Sequence, residues 1–327
     1  MAIHPKYRHF IFNINISNMI IIRKDENNQK INIVKGTSIS VINGNLQLAD
    51  VGYTPQEVIT ITNTINDKIS YTKQIEKEYN DTTTFNSNYN LLFCPNIDVS
   101  NRTSCENLFY NCFSLMYLPP LTITNKCNSI RGMFYGCSAL PSIDATNWDI
   151  SNCTSLYYLF FNCQSLKEIK GVENLDTSNV TDFGYTFYDC QTLTGDLDLS
   201  NWKTDKITNL YGMFYNCKNI NKLDLSNWNT SRIYNVGSLF SGCSKLTDLN
   251  LSGWDLSNVT QSYNASSLFS NCTSLTNFQA PQNISVNVYF SSCNHLTVDS
   301  LMSLIINLKD KSNTTSITIC ELEGIIK

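Results

Sequence analysis

Histidine is nearly absent: His4, His9 and His295 are the only three in 327 residues. Two lie near the start and the third closes a run of repeats, which leaves little for Ser–His or Cys–His nucleophilic chemistry. The chain also has no H-E-x-x-H motif, no glycine-rich phosphate loop and no C-x-x-C pair. Metallohydrolase, nucleotide-binding and thioredoxin-like readings are therefore weak, and we expect no enzyme, cofactor or metal site. Lys and Arg number 23 against 27 Asp and Glu, a net charge of −4, so no basic surface for nucleic acid is expected. No clean apolar run is present either. The stretch FIFNINISNMIII is broken by Asn13, Asn15, Ser17 and Asn18, so it suits neither a signal peptide nor a membrane span. Its alternation reads as a strand.

What the chain has is a repeated phrase. LFYNCFSL, MFYGCSAL, LFFNCQSL, TFYDCQTL, MFYNCKNI, LFSGCSKL, LFSNCTSL and YFSSCNHL run from Leu108 to Leu296, with a step close to 26 residues. Their cysteines are Cys112, Cys137, Cys163, Cys190, Cys217, Cys243, Cys272 and Cys293. A second landmark, LDLSNWKT, LDLSNWNT and LNLSGWDL, sets Trp202, Trp228 and Trp254 one period apart, with Trp148 an earlier copy. Ile220, Leu223 and Leu225, then Leu246, Leu249 and Leu251, give the L-x-x-L-x-L pattern of a short strand. The fold expected is a leucine-rich-repeat solenoid of about eight turns, a parallel strand stack in which like side chains form internal columns. Cysteines recurring beside the same Phe read as buried free thiols rather than disulfides. Cys94, Cys105, Cys127, Cys153 and Cys320 show no shared register in the sequence.

Residues 1–53 read as a small β unit with a hairpin at Asn43-Gly44. Thr54-Pro55-Gln56-Glu57 carries a capping box, and Val58, Ile61, Ile65, Ile69, Thr72, Ile75 and Tyr79 recur at helical spacing. This predicts a helix over 54–80: a coiled-coil stalk, a helix packed on its own chain or, from the β-branched VITIT run, a strand. Residues 81–90 read as a polar linker and 91–296 as the array. Residues 297–327 read as a cap with a helix from Val298 to Leu308 and a last strand in SITIC.

Two sets of residues are candidates for binding. The position after the repeated Phe is Tyr110, Tyr135, Phe161, Tyr188 and Tyr215 in five copies, then Ser241, Ser270 and Ser291. Facing outward, these rings would offer rigid amphipathic contacts; facing inward, they would be core. The second set is the polar face of the strands, Asn221, Lys222, Asp224, Thr247, Asp248 and Asn250, which alternation turns away from the core. It is either a hydrogen-bonding surface or a solvated face. Asp144, Asp198 and Asp224 share one strand position and form a sparse acidic row rather than a cation site.

The phrases MFYNC, LSNWNTS and DTSNVT resemble BspA-type leucine-rich repeats, found in surface proteins of bacteria, some protists and gut bacteriophages. The ending LTVDSLMSLIINLKD resembles repeat proteins carried by phages of Bacteroidetes, including crAss-like phages. The resemblance implies a non-enzymatic virion protein of a phage tail or fibre. Residues 1–90 would contact other virion proteins, in a possible homotrimer, and the array would recognise a host-surface glycan or protein, with no nucleic acid and no membrane insertion. A bacterial cell-surface adhesin and a structural tail or head decoration protein are the alternatives.

Overall fold

The computed structural model describes residues 19–21, 58–63, 69–74, 84–92, 94, 97–194 and 197–308. The Asn43-Gly44 hairpin, the capping box, Cys320 and the SITIC strand lie outside these residues. The chain forms two compact units, Met1–Glu78 and Tyr79–Lys327.

The first unit contains strands β1 (Met19–Ile21), β2 (Val58–Asn63) and β3 (Ile69–Gln74) in an antiparallel sheet of that order. Ile20 pairs with Ile61, and Ile61 with Tyr71. Within the segment read as a helix over 54–80, residues 58–63 and 69–74 therefore take the strand alternative. The helical spacing of Ile61, Ile65 and Ile69 loses to the β-branched composition of VITITN, whose side chains are stiff at χ1 and favour a pleated backbone.

In the second unit the strands are three residues long and parallel. β4 (Ser142–Asp144) pairs with β5 (Glu168–Lys170); β6 (Lys222–Asp224), β7 (Asp248–Asn250) and β8 (Asn277–Gln279) form a three-stranded sheet. Pairing is in register, so Ile143 meets Ile169, and Leu223, Leu249 and Phe278 align. In each strand the central apolar residue is buried and its neighbours are not, the period-two pattern of a sheet with one covered face. The result is a repeat-type β structure with little helix.

Much of the bonding between copies lies in the Phe phrase rather than in the strands. The N–H groups of Asn107, Phe109 and Asn111 donate to the carbonyls of Arg131, Met133 and Tyr135, and those of Tyr185, Phe187 and Asp189 to Tyr211, Met213 and Tyr215. Between these bonds the chain folds back on itself, as where Cys112 N–H donates to Phe109 O. Such tight reversals place a left-handed residue two after the Phe in every copy and two before it in seven. The later position holds Asn111, Gly136, Asn162, Asp189, Asn216, Gly242 and Asn271, residue types that accept positive φ.

Three columns fill the interior. Phe85, Phe109, Phe134, Phe160, Phe187, Phe214, Phe240, Phe269 and Phe290 stack with centroids 4.7–5.9 Å apart and planes within 14°. Phe85 lies in the segment read as a linker. TFNSNYNL at 84–91 is a ninth, degenerate copy, with Asn88 in the cysteine position and Ser87 at φ 58°. The eight repeat thiols form the second column, each donating to the carbonyl of the preceding copy's Phe, from Cys112 to Phe85 O at 3.1 Å through Cys293 to Phe269 O at 2.9 Å. Cysteine recurs because a small apolar side chain with one weak donor meets that buried carbonyl. All twelve described cysteines are buried free thiols. Cys127 and Cys153 do share a register: Cys153 Sγ donates to Cys127 O, and Val180, Ile207 and Ile233 make the same local backbone bond in later copies. The sequence hides this column because its chemistry changes along the array.

Trp202, Trp228 and Trp254 make the third column, their indole N–H groups donating to Val172, Leu199 and Leu225 carbonyls. At the far end, helix α1 (Val298–Ile306) is capped by Thr297 and closes the sheet edge. Its Ser300 and Ser303 hydroxyls accept from Phe278 N–H at 2.8 Å and Ala280 N–H at 2.9 Å, satisfying donors an open edge strand would expose.

Candidate functional site

Tyr110, Tyr135, Phe161, Tyr188 and Tyr215 come together as one stack, with successive centroids at 4.4, 4.5, 4.6 and 4.4 Å and planes within 13°. All five are half-buried, so they form neither an inward core column nor a set of separate surface rings. Each follows a buried Phe by one residue, and chain reversal places the two on opposite sides of the backbone. Burial, reinforced by the neighbouring Tyr215 phenol, pushes the Tyr188 hydroxyl up to about 12.

A second aromatic row, not anticipated from the repeat phrase, flanks the first. Tyr157, Tyr158, Tyr185 and Tyr211 stand two or three residues before the repeated Phe and are also half-buried. Tyr158 meets Tyr135 edge-on at 5.5 Å and Phe161 at 5.1 Å, while Tyr185 lies 5.6 Å from Tyr188 and 5.0 Å from Tyr211. The two rows are thus one surface. The Arg131 guanidinium caps its edge, 5.1 Å from the Tyr157 ring centroid. Two glycines clear the space: a Cβ on Gly237 would sit 2.9 Å from the Tyr211 ring, and one on Gly212 3.3 Å from that of Tyr185. The signal was present in SLYYLF, GYTF and LYGMF, but it shifts by one position between copies and so escapes a fixed-register reading.

Beneath this surface runs a polar column, Ser155, Asp182, Asn209 and Asn235, joined by parallel bridges. Each side chain accepts the N–H two residues on, pinning the reversal that carries the ring. Burial raises the Asp182 carboxyl, while Gly184 N–H and Asn209 oppose that shift.

The polar strand set has a different character. Asp224 accepts from Ser226 N–H at 3.0 Å and Asn250 from Ser252 N–H at 3.1 Å, so both are turn caps. Asp144 and Asp198 do the same with Thr146 and Ser200, which accounts for the acidic row. Thr247 bonds Asn221 O and Asp248 Oδ2, and Asp248 Oδ1 accepts from Asn277. Those two bonds hold the Asp248 carboxyl below its usual range. Asn221 and Lys222 remain as exposed side chains on this face. Among the described residues no cluster of three or more His, Cys, Asp or Glu could hold a metal ion, and no helix is long and apolar enough to cross a membrane. His295 is exposed and bonds Thr273 O.

The family model described as "Mycoplasma protein of unknown function, DUF285" matches residues 128–223 and again 195–300. The two matches overlap and together span more than half of the chain. The chain belongs to this family. The matched span holds the Trp column and most of both aromatic rows; Tyr110 and the Phe85 copy precede it. No curated protein and no solved structure matches the chain.

Proposed function

We propose that this chain is a non-enzymatic recognition protein, a BspA-type leucine-rich solenoid that presents its aromatic surface to a partner on a cell. The observation that carries this reading is the continuous stack Tyr110, Tyr135, Phe161, Tyr188 and Tyr215. Half-buried aromatic rings on a packed core supply contact area at low entropic cost, because the rings are already fixed before a partner arrives. The polar strand face is the weaker candidate, since most of its members cap turns or bond the next copy. The resemblance to repeat proteins of gut phages supports a setting on a virion, with the first unit, Met1–Glu78, serving attachment and self-association.

The test is binding of fluorescently labelled full-length protein to a panel of intact bacterial strains, with a Tyr135→Ser/Tyr188→Ser double variant alongside. Recognition predicts that at least one strain is labelled and that the variant loses most of the signal. Absence of labelling on every strain, or equal labelling by the variant, refutes it. An antibody to the full chain then separates the settings, decorating purified particles if it is a virion protein and cell envelopes if it is an adhesin.

A further inference from the structure

The position two residues before the repeated Phe is left-handed in seven copies: Asn107, Gly132, Tyr158, Tyr185, Gly212, Ser238 and Ser267, with φ between 54° and 63°. Five of these are glycine, asparagine or serine. Tyr158 and Tyr185 are the exceptions, and a bulky aromatic residue is strained there. The fold does not require a ring at this position, because the flanking copies make the same backbone bonds with Gly132 and Gly212. Strain kept in two adjacent copies, both within the half-buried aromatic surface, points to a use for those rings.

Their geometry indicates the ligand. In the first row the rings lie flat on one another, so neighbours cover their faces; Tyr110, Tyr135, Tyr188 and Tyr215 carry hydroxyls and Phe161, in the middle, carries none. In the second row Tyr158 has Tyr157 at 4.0 Å and 60° and Tyr185 at 4.9 Å and 38°, and Tyr185 has Tyr211 at 5.0 Å and 51°, so these rings pack at an angle and none is sandwiched flat. The charge is low: Arg131 lies over Tyr157, Asp182 is bonded by Gly184 and Asn209, and Asp189 accepts from Gln164, Gln191 and Asn216. Tilted, half-buried rings beside the phenol hydroxyls of Tyr135 and Tyr188 match a pyranose, whose C–H face packs on an aromatic ring while its hydroxyls bond outward. Because aromatic rungs recur copy after copy, a chain of sugars lying along the array meets the same chemistry repeatedly.

We propose that Tyr158, Tyr185 and Tyr211, with Arg131 and Tyr157 at the margin, form the docking strip for a linear neutral polysaccharide. This rests on the recognition reading and adds the ligand class. The test uses full-length protein and Tyr158→Gly/Tyr185→Gly, which removes both rings and suits the left-handed backbone, so relieved strain offsets part of the lost ring contacts and a cooperative thermal transition checks that the variant folds. Affinity electrophoresis through xylan, galactomannan and mixed-linkage glucan, with anionic alginate as the charged control, is paired with cell labelling after periodate or protease treatment. Retardation by a neutral glycan, or labelling lost to periodate and not to protease, with binding about tenfold weaker in the variant, supports the proposal. Labelling lost to protease and not to periodate, retardation by alginate alone, or a variant that binds like the parent overturns it while leaving recognition intact. Failure to label any cell together with failure to bind any glycan overturns both.

Discussion

Two rows of rings sit one residue apart in the same repeated phrase and behave differently. The Phe column runs unbroken from Phe85 to Phe290, fully buried, while the row beside it runs from Tyr110 to Tyr215 and then becomes Ser241, Ser270 and Ser291. The Phe240–Phe269 stack, where serine has replaced tyrosine, is as regular as any other, at 5.8 Å and 1°. The inner column is thus a condition of folding, since each copy buries its ring only against its neighbours. The outer row is dispensable to packing. A feature kept in five copies and absent from four, where Asn86, Ser241, Ser270 and Ser291 stand, without disturbing the core calls for a reason outside the fold.

The comparison can be broken first with pH. Burial pushes Cys112 up to about 11 and Cys243 up to about 12, and holds Cys137, Cys190 and Cys217 well above the usual thiol range. A thiol raised in the folded state stays protonated there after its unfolded counterpart has ionised. Its stabilisation is present below pH 9 and is lost as pH climbs toward the folded value. Each such thiol then costs about 1.4 kcal/mol per pH unit. Urea midpoints measured from pH 8 to 10.5 should fall steeply, and a flat profile would mean the thiols are not buried as a column. Next in size is Phe187→Ala, which opens a hole between Phe160 and Phe214 and should cost about 3–5 kcal/mol in denaturant unfolding. Cys217→Ala removes the second donor to the Phe187 carbonyl, which still accepts from Cys190 N–H, and should cost about 0.5–1.5 kcal/mol. Tyr188→Ser should cost less than about 1 kcal/mol, because serine already occupies this position in later copies. If Tyr188→Ser proves as damaging as Phe187→Ala, the outer row is structural and the functional argument loses its basis.

How much was legible follows the same division. Phe109, Cys112 and Trp202 recur in register because a column tolerates only its own kind, so the array could be read from spacing. The Phe85 copy could not, since Asn88 replaces its cysteine and the phrase loses its signature while keeping its geometry. At 58–63 and 69–74 isoleucine spacing fits both a helix and a β segment, so the sequence left a strand as the alternative to a helix, and pairing with β1 decides the outcome. Of the aromatic surface, Tyr110 through Tyr215 were legible as a row by position. Tyr158 and Tyr185 were not, since their importance lies in a backbone conformation that composition does not reveal. Asp224 and Asn250 looked like ligand-binding groups because strand alternation turns them outward, and alternation says nothing of the turn N–H groups they cap.

The most informative comparison sets the strained rings against an unstrained one. Tyr158→Gly takes a ring from a half-buried cluster, losing its contacts with Tyr135, Tyr157, Phe161 and Tyr185, and at the same time releases a left-handed tyrosine. Each lost contact costs about 0.5–1.5 kcal/mol. Relief of the backbone returns about 1–2 kcal/mol, less the extra freedom glycine has when unfolded. Relief therefore offsets part of the loss, and the thermal unfolding midpoint should fall by several degrees at most. A Tyr185→Gly variant should match it, because the surroundings are alike, whereas Tyr188→Gly has no left-handed strain to release and should lose more stability than either. If all three destabilise equally, tyrosine at positions 158 and 185 is held by packing alone. If only Tyr188→Gly destabilises clearly, the strained rings are not sustained by stability, and their retention at the centre of the aromatic surface is explained by what that surface binds.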